Sequence, residues 1–175
     1  MNLEILEDRQ GWYEDYQANW LRHYQETGET LWKIYQRPRN TTAPSGKAIN
    51  LSESRLVLIT SAGSYLKDEQ TPYDAENDLG AYDIRLYSSS TPLNKLAYAH
   101  THYDHTAVNA DPQVLVPLLH LDDLVSEGVV GELAPNVISF MGYQPDVMRV
   151  LDETIPAIIT AMKAENAQAA LLVPS

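Results

Sequence analysis

The spacing of apolar residues changes near residue 55 of this chain. Before that point Trp12, Tyr16, Trp20 and Tyr24 recur every four positions, which predicts an amphipathic helix over residues 9 to 26 carrying one slowly drifting aromatic stripe. Gly28 supplies its stop. Together with Tyr13, Trp32 and Tyr35, the stripe gathers most of the large aromatic mass into an N-terminal arm, and a stripe of this kind serves as a packing face more often than as a ligand wall. RPRNTTAPSG, residues 37 to 46, is rich in turn formers and reads as an extended connection, so residues 1 to 50 are expected to form an aromatic helical arm and its connection. Lys33, Arg37 and Arg39 make a basic cluster there, explained either as solvated charge or as an anion contact.

After residue 55 the pattern becomes short apolar runs that end in small or polar residues. LVLITSAG (56 to 63) predicts a buried strand running into a glycine turn, DIRLY (83 to 87) a second strand, LAYAH (96 to 100) a third, NVISF (136 to 140) a fourth and AALLVP (169 to 174) a fifth. HLDDLVSEG (120 to 128) predicts a short helix closed by Gly128. PDVMRVLDETIPAIITAMKAE (145 to 165) predicts a long helix with Pro145 in its first turn and a bend at Pro156. Alternating strands and helices imply an α/β fold with a mainly parallel, Rossmann-like three-layer sheet over residues 51 to 175. Ligands in such sheets bind beyond the carboxyl ends of the strands. Thr60 to Gly63, His100 to His105, Met141 to Tyr143 and Ser175 are all expected at that edge.

Composition narrows the partners. A net charge of −12 over 175 residues disfavours nucleic acid and anionic membranes, whose phosphates repel an acidic surface. No apolar run approaches the ~20 residues of a membrane span, and MNLEILEDRQ lacks the basic and apolar segments of an export signal, so a cytoplasmic location is expected. The chain has no cysteine, which removes disulfides, thiolate metal sites and thiol nucleophiles from these residues.

The densest candidate chemistry is AHTHYDHT, residues 99 to 106. His100, His102, Asp104 and His105 reproduce the H-x-H-x-D-H spacing with which dinuclear zinc hydrolases hold metal. Such a hydrolase needs further ligands downstream, and after His105 only His120 remains. Four readings stay open: a dinuclear hydrolase, a mononuclear zinc or iron site on His100, His102 and His105, a metal-free substrate or proton-transfer site, and a structural hydrogen-bond network. SAGS at 61 to 64 has a single glycine and no phosphate-cradle spacing. Ser61, Ser64 and Ser139 lack the sequence context of an activated nucleophile and read as turn or satisfied core hydroxyls.

LSESRLVLITSAGSYLKDEQTPYD (51 to 74), the stretch from AHTHYDH through VGELAP to SFMGY (99 to 143) and AALLVPS (169 to 175) resemble, in that order, the selenoprotein B component of the glycine, sarcosine, betaine and D-proline reductases. The aromatic arm lies outside these stretches. The resemblance implies a subunit of an amino-acid reductase that cleaves a carbon–nitrogen bond reductively, acting on a small amine or amino-acid-like substrate alongside a pyruvoyl-bearing partner subunit. In that family a selenocysteine, or a cysteine in its place, attacks the substrate carbon. Neither occurs among these residues.

The resemblance places the reactive selenocysteine directly after a strand like AALLVP, and selenocysteine is encoded by UGA, which gene calling reads as a stop. The domain is therefore expected to be incomplete at its C-terminus, with selenocysteine beyond Ser175 and no cofactor within the chain as written. His100, His102, Asp104 and His105 are the expected catalytic or proton-relay residues, with Ser61, Gly63 and Tyr143 lining the substrate site. The alternatives are the metal-dependent hydrolase or metal-binding protein and a non-catalytic binding module. A homo-oligomer is compatible with the aromatic arm.

Overall fold

A computed structural model describes residues 6 to 36, 40 to 42 and 46 to 175. Arg37 and Arg39 of the basic cluster lie outside the described residues, whereas Lys33 is exposed. Packing divides the chain into two units, one formed by Met1–Ala48 with Asp146–Met148 and the other by Ile49–Pro145 with Arg149–Ser175.

In the first unit the helix predicted from the aromatic spacing is present as α1 (Arg9–Tyr16), a π-turn (Gln17–Leu21) and α2 (Arg22–Thr27). Asp8 accepts the backbone N–H of Gly11 at its start, and Gly28 ends it at φ 73°. The four-residue spacing stacks the rings nearly parallel. Trp12 to Tyr16, Tyr16 to Trp20 and Trp20 to Tyr24 are 5.7, 5.7 and 5.8 Å apart, and Tyr35 meets the first three edge-on. Trp12 donates its indole N–H to the carbonyl of Gln36 (2.7 Å). The carboxylate of Glu7 accepts the backbone N–H and hydroxyl of both Thr41 and Thr42, and these bonds hold it down to about 2.

The indole N–H of Trp20 is buried without an acceptor among the described residues. A buried donor left unpaired carries its full desolvation cost, so removing the donor offsets part of the packing lost with it. Trp20→Phe is expected to cost under ~1 kcal/mol, against the ~3–5 kcal/mol usual for truncating a core tryptophan to alanine, as read from denaturant midpoints of the two variants.

The second unit is built on a mixed, mostly parallel sheet. Its centre is β1 (Arg55–Thr60), in which Leu56 to Thr60 are all buried, the signature of a strand covered on both faces. After β1 come β2 (Ser64–Leu66), β3 (Ile84–Ser88), β4 (Leu96–Tyr98), α3 (Thr106–Ala110), α4 (Leu118–Ser126), β5 (Glu132–Leu133) and β6 (Asn136–Phe140). The chain continues through α5 (Val147–Arg149), whose Val147 and Met148 belong to the first unit, and then through α6 (Ile155–Ala164) and β7 (Ala169–Val173). Leu56 pairs with both Leu133 and Ala169, and Ile59 with both Ile138 and Leu172, so β5 and β6 share one side of β1 and β7 takes the other, all parallel to it.

Two expectations about the sheet are corrected. DIRLY forms β3, but it runs antiparallel to β6, with Ile84 opposite Phe140. LAYAH leaves the main sheet and pairs antiparallel with β2, Ser64 opposite Tyr98. The turn after β1 returns the chain at once into β2, so β4 finds its partner there.

Alternation along β1 sorts its side chains into two cores. Leu56 and Leu58 pack with Val116, Leu118 and Leu121 at the start of α4, while Val57 and Ile59 pack with Ala161, Ile158 and Met162 of α6. The first turn of the long helix also differs from expectation: Pro145 precedes it, and Asp146 receives the N–H of Met148. Just ahead of Pro156 the helix widens into a π-turn over Val150–Thr154. A proline ring lacks the N–H that would bond four residues back and crowds that carbonyl, and the wider turn accommodates both. No helix among the described residues is long and apolar enough to cross a membrane.

Candidate functional site

The loop after β1 is built around Gly63. Its φ of 62° is left-handed, its N–H reaches the carbonyl of Phe140 at the end of β6 (2.9 Å), and its carbonyl takes the N–H of Ala99 (3.0 Å). A side chain there would meet the backbone nitrogen of His100 at 3.0 Å and its Cβ at 3.1 Å. Gly142, on the other side, leaves room for the ring: a Cβ would lie 3.1 Å from Nε2 of His100 and 3.3 Å from Ser61. The imidazole of His100 is thus held against two glycines at the carboxyl ends of β1 and β6.

His100 is only 7% exposed, which decides its chemistry. Burial above all, then the neighbouring rings of His102 and His105, push its pKa down to about 4. Its Nδ1 accepts the backbone N–H of His102 (3.2 Å), so the ring hydrogen belongs on Nε2. That nitrogen lies against Gly142, and both residues line a cavity of about 500 Å³. Ile59, Phe140, Leu172, Val173 and Pro174 form its apolar wall, and Ser61 and Ser175 its hydroxyls. Ser61 receives the N–H of Ser175 (2.9 Å), and its own N–H reaches the carbonyl of Val173 (3.1 Å), which ties the end of β7 to the end of β1.

The structure therefore brings together Ser61, Gly63, His100, Met141 to Tyr143 and Ser175, although LAYAH reaches this edge from a separate ribbon. The remaining members of the histidine cluster take different positions. His102 is exposed and lies flat on Tyr143, ring centres 4.0 Å apart, while the phenol of Tyr143 donates to the carbonyl of Asp78 (3.0 Å). His105 bonds through Nε2 to the carbonyl of His100 (2.7 Å) and leans on Tyr103. Tyr103 donates in turn to the carbonyl of Ala62 (3.2 Å). Asp104 accepts the N–H and hydroxyl of Thr106 at the start of α3, bonds that hold its carboxyl below the usual range.

Around His100 these bonds form one hydrogen-bonded turn and do not assemble a metal donor set. Among the described residues no three His, Asp or Glu side chains converge on a metal position, so the ligand set His100, His102 and His105 does not fit zinc or iron in this arrangement.

Spacing alone did not reveal the buried polar network beneath the loop. Ser64 bonds both the phenol of Tyr87 (2.8 Å) and Ser139 (3.0 Å), and Tyr73 donates to the carbonyl of Ser139 (2.7 Å). Burial raises the pKa of Tyr73 and Tyr87, so both phenols stay protonated donors. Ser64 and Ser139 are fully buried and so are satisfied core hydroxyls rather than nucleophiles. The available signals were Ser139 within the otherwise apolar end of NVISF and Ser64 directly after Gly63 at the start of β2.

Comparison with known proteins gives this site a context. The family described as glycine/sarcosine/betaine reductase selenoprotein B matches residues 27–175, beginning earlier than the stretches that carry the resemblance and inside the arm. D-proline reductase subunit gamma of Acetoanaerobium sticklandii is 30% identical over 122 residues, 70% of this chain and 49% of that protein. Sarcosine reductase complex component B subunit beta of Peptoclostridium acidaminophilum is 30% identical over 118 residues, 66% of this chain and 27% of that protein. The chain spans about half or less of the length of these relatives. No solved structure matches it. The match over residues 27–175 shows that the chain belongs to the glycine/sarcosine/betaine reductase selenoprotein B family.

Proposed function

We propose that this chain is the B-type subunit of an amino-acid reductase complex and that the cavity at His100 receives the reacting end of its substrate. The observation that carries this reading is the position of His100, whose ring is fixed by the backbone N–H of His102, keeps its donor Nε2 against Gly142 and lines a largely apolar cavity at the meeting point of β1, β6 and β7. Family membership supports the reaction class, reductive cleavage of a bond from carbon to nitrogen in a glycine-, sarcosine-, betaine- or D-proline-like substrate. A partner subunit bearing a pyruvoyl group would hold the substrate amine.

His100 cannot give up a proton readily at neutral pH, because its ring is already the neutral form. Its contribution is orientation and a fixed hydrogen bond. His102, exposed against Tyr143, and His105, beside Tyr103, are the remaining candidates for moving a proton to a departing amine. Asp104 would support them by holding the turn through Thr106. Ser61, Gly63 and Tyr143 complete the substrate site as wall, seat and outer lip.

The family's selenol or thiol fits this arrangement if it is carried just after β7, because Ser175 is bonded to Ser61 beside His100. The gene decides that part of the proposal. A UGA codon after the one for Ser175, followed by an open frame, supports it, and a UAA or UAG codon there refutes it.

The activity test uses the complete protein reconstituted with its partner subunits. His100→Asn is expected to lower kcat/KM for reduction at least about tenfold, the loss of one hydrogen bond made in the transition state. His120→Asn, an exposed change on α4, is expected to leave the rate unchanged. Equal rates for His100→Asn and the unsubstituted protein would remove His100 from the reaction.

A further inference from the structure

His102 takes its orientation from a chain of contacts that begins at a turn more than twenty residues upstream. Asn77 builds that turn with both ends of its amide. Its Oδ1 accepts the N–H of Leu79 (3.0 Å), its Nδ2 donates to the carbonyl of Gly80 (3.2 Å), and its own carbonyl accepts the N–H of Gly80 (2.8 Å). Gly80 closes the turn at φ 82° and packs directly on the segment that carries Tyr143. A Cβ there would lie 2.7 Å from the carbonyl oxygen of Tyr143 and 2.9 Å from Cδ of Pro145, so the contact requires glycine. The residues beside Gly80 clasp the same segment. Asp78 accepts the phenol of Tyr143 at its carbonyl (3.0 Å), and Ala81 accepts the side-chain amide of Gln144 (2.8 Å). That amide also reaches the hydroxyl of Thr154, which donates to the carbonyl of Tyr82.

A phenol held at its backbone and at its oxygen has a fixed ring plane. His102 lies on that plane, with ring centres 4.0 Å apart and 4° between the rings, while its backbone N–H bonds Nδ1 of His100. An imidazole on an exposed turn otherwise samples several rotamers, and stacking on an immobile ring confines it. Proton transfer depends on that confinement, because the exchanging atoms must stay within hydrogen-bond reach. We infer that the Asn77–Gly80 turn is a positioning element for His102 and acts through the ring of Tyr143. This rests on the reading of His102 as a group that moves a proton, and deepens it. Asn77 and Gly80 are positioning residues rather than catalytic ones.

The test is a double-mutant cycle on turnover by the complete protein with its partner subunits, using Asn77→Ala and His102→Gln singly and together. Asn77→Ala is expected to lower kcat about fivefold, with KM changed by less than about twofold. Once His102 is already glutamine, the same substitution is expected to cost less than about twofold, because nothing is left to position. Asn77→Asp keeps the acceptor for the N–H of Leu79 and is expected to recover part of the loss. Equal losses in the two backgrounds would make Asn77 merely structural and overturn the inference, as would full activity of His102→Gln. Nuclear magnetic resonance of the same protein gives a reading independent of turnover. The ring protons of His102 are expected upfield, shielded by the ring current of Tyr143, and Asn77→Ala is expected to move them toward the position of a free histidine; unchanged resonances overturn the inference. If Asn77→Ala does not fold, Tyr143→Phe replaces it in both measurements, since it keeps the stacked ring and removes the phenol's bond to Asp78. Activity lost in His100→Asn but retained in His102→Gln would sink this inference and leave the proposed function standing. Coupled losses at Asn77 and His102 with an unaffected His100→Asn would do the reverse.

Discussion

Gly63→Ala is expected to destabilise the second unit by ~2–4 kcal/mol and to lower its melting temperature by roughly 5–12 °C. Two costs combine at this position. A Cβ at φ 62° is strained in any surroundings, a penalty of ~1 kcal/mol. The same Cβ would also lie 3.0 Å from the backbone nitrogen of His100 and 3.1 Å from its Cβ, where real contacts of this kind are not tolerated without movement. Neither neighbour is the end of a flexible chain. His100 is fixed by the N–H of His102 at one side and by the bond from its carbonyl to His105 at the other. Gly128→Ala separates the two contributions, because Gly128 has a similar φ of 74° but open space where its Cβ would go. Its expected cost is the conformational ~1 kcal/mol alone. Differential scanning of both variants gives the comparison. Equal shifts would mean that His100 yields easily and is not seated by Gly63. The steric part should also appear in function, since a displaced His100 carries Nε2 away from the cavity.

What the sequence disclosed follows from which physical signals are local. β1, β6 and β7 were legible because each is a short, mostly apolar run between polar ends; β1 buries Leu56 to Thr60, whereas Ala170 to Leu172 of β7 stay exposed. The aromatic helix was legible because a spacing of four brings rings into contact whatever else the chain does. Strand direction is not local. DIRLY has the same alternation whether it runs with or against β6, and in the fold it runs against it, with Ile84 opposite Phe140. LAYAH had too little length to announce its partner, because the facing strand, Ser64–Leu66, has three residues. The ends of the strands still converged, since β4, paired with β2 and extended by the bond from the N–H of Ala99 to the carbonyl of Gly63, delivers His100 to its close approach with Gly63 and Gly142.

The histidine cluster was visible as a cluster, but not in its division of labour. Spacing counts His100, His102, Asp104 and His105 as equivalent donors, whereas the backbone turn gives each a different partner. Asp104 goes to Thr106, His105 to a carbonyl, His102 to the face of Tyr143 and His100 to the cavity. Only a three-dimensional turn distinguishes a donor set for a metal from a self-bonded loop with one outward nitrogen.

Acidification is expected to destabilise the protein through His100 before most carboxylates titrate. Burial holds the ring of His100 at about 4, below the ordinary 6.5, so between those two values the unfolded chain binds a proton that the folded chain refuses. Stability is therefore unaffected by this group above about pH 6.5 and falls as pH drops from there to about 4, by on the order of 2–3 kcal/mol in all. The folded state can respond by ejecting the ring from between Gly63 and Gly142, which would open the cavity and the turn of the whole histidine cluster. Asp104 and Glu153 have lowered pKa values and lose their contributions at still lower pH, through the titration of carboxyls bonded to Thr106 and Arg149. His100→Asn isolates the histidine, because an amide accepts the N–H of His102 without titrating. Urea unfolding at intervals from pH 4 to pH 8 should give a curve for the unsubstituted protein that falls across the window, and one for the variant that stays flat until the carboxylates begin to protonate. Parallel curves would show that the imidazole is accommodated as readily charged as neutral. The uncharged cavity wall argues against that outcome, because none of the described side chains beside Nε2 is a carboxylate able to hold an imidazolium.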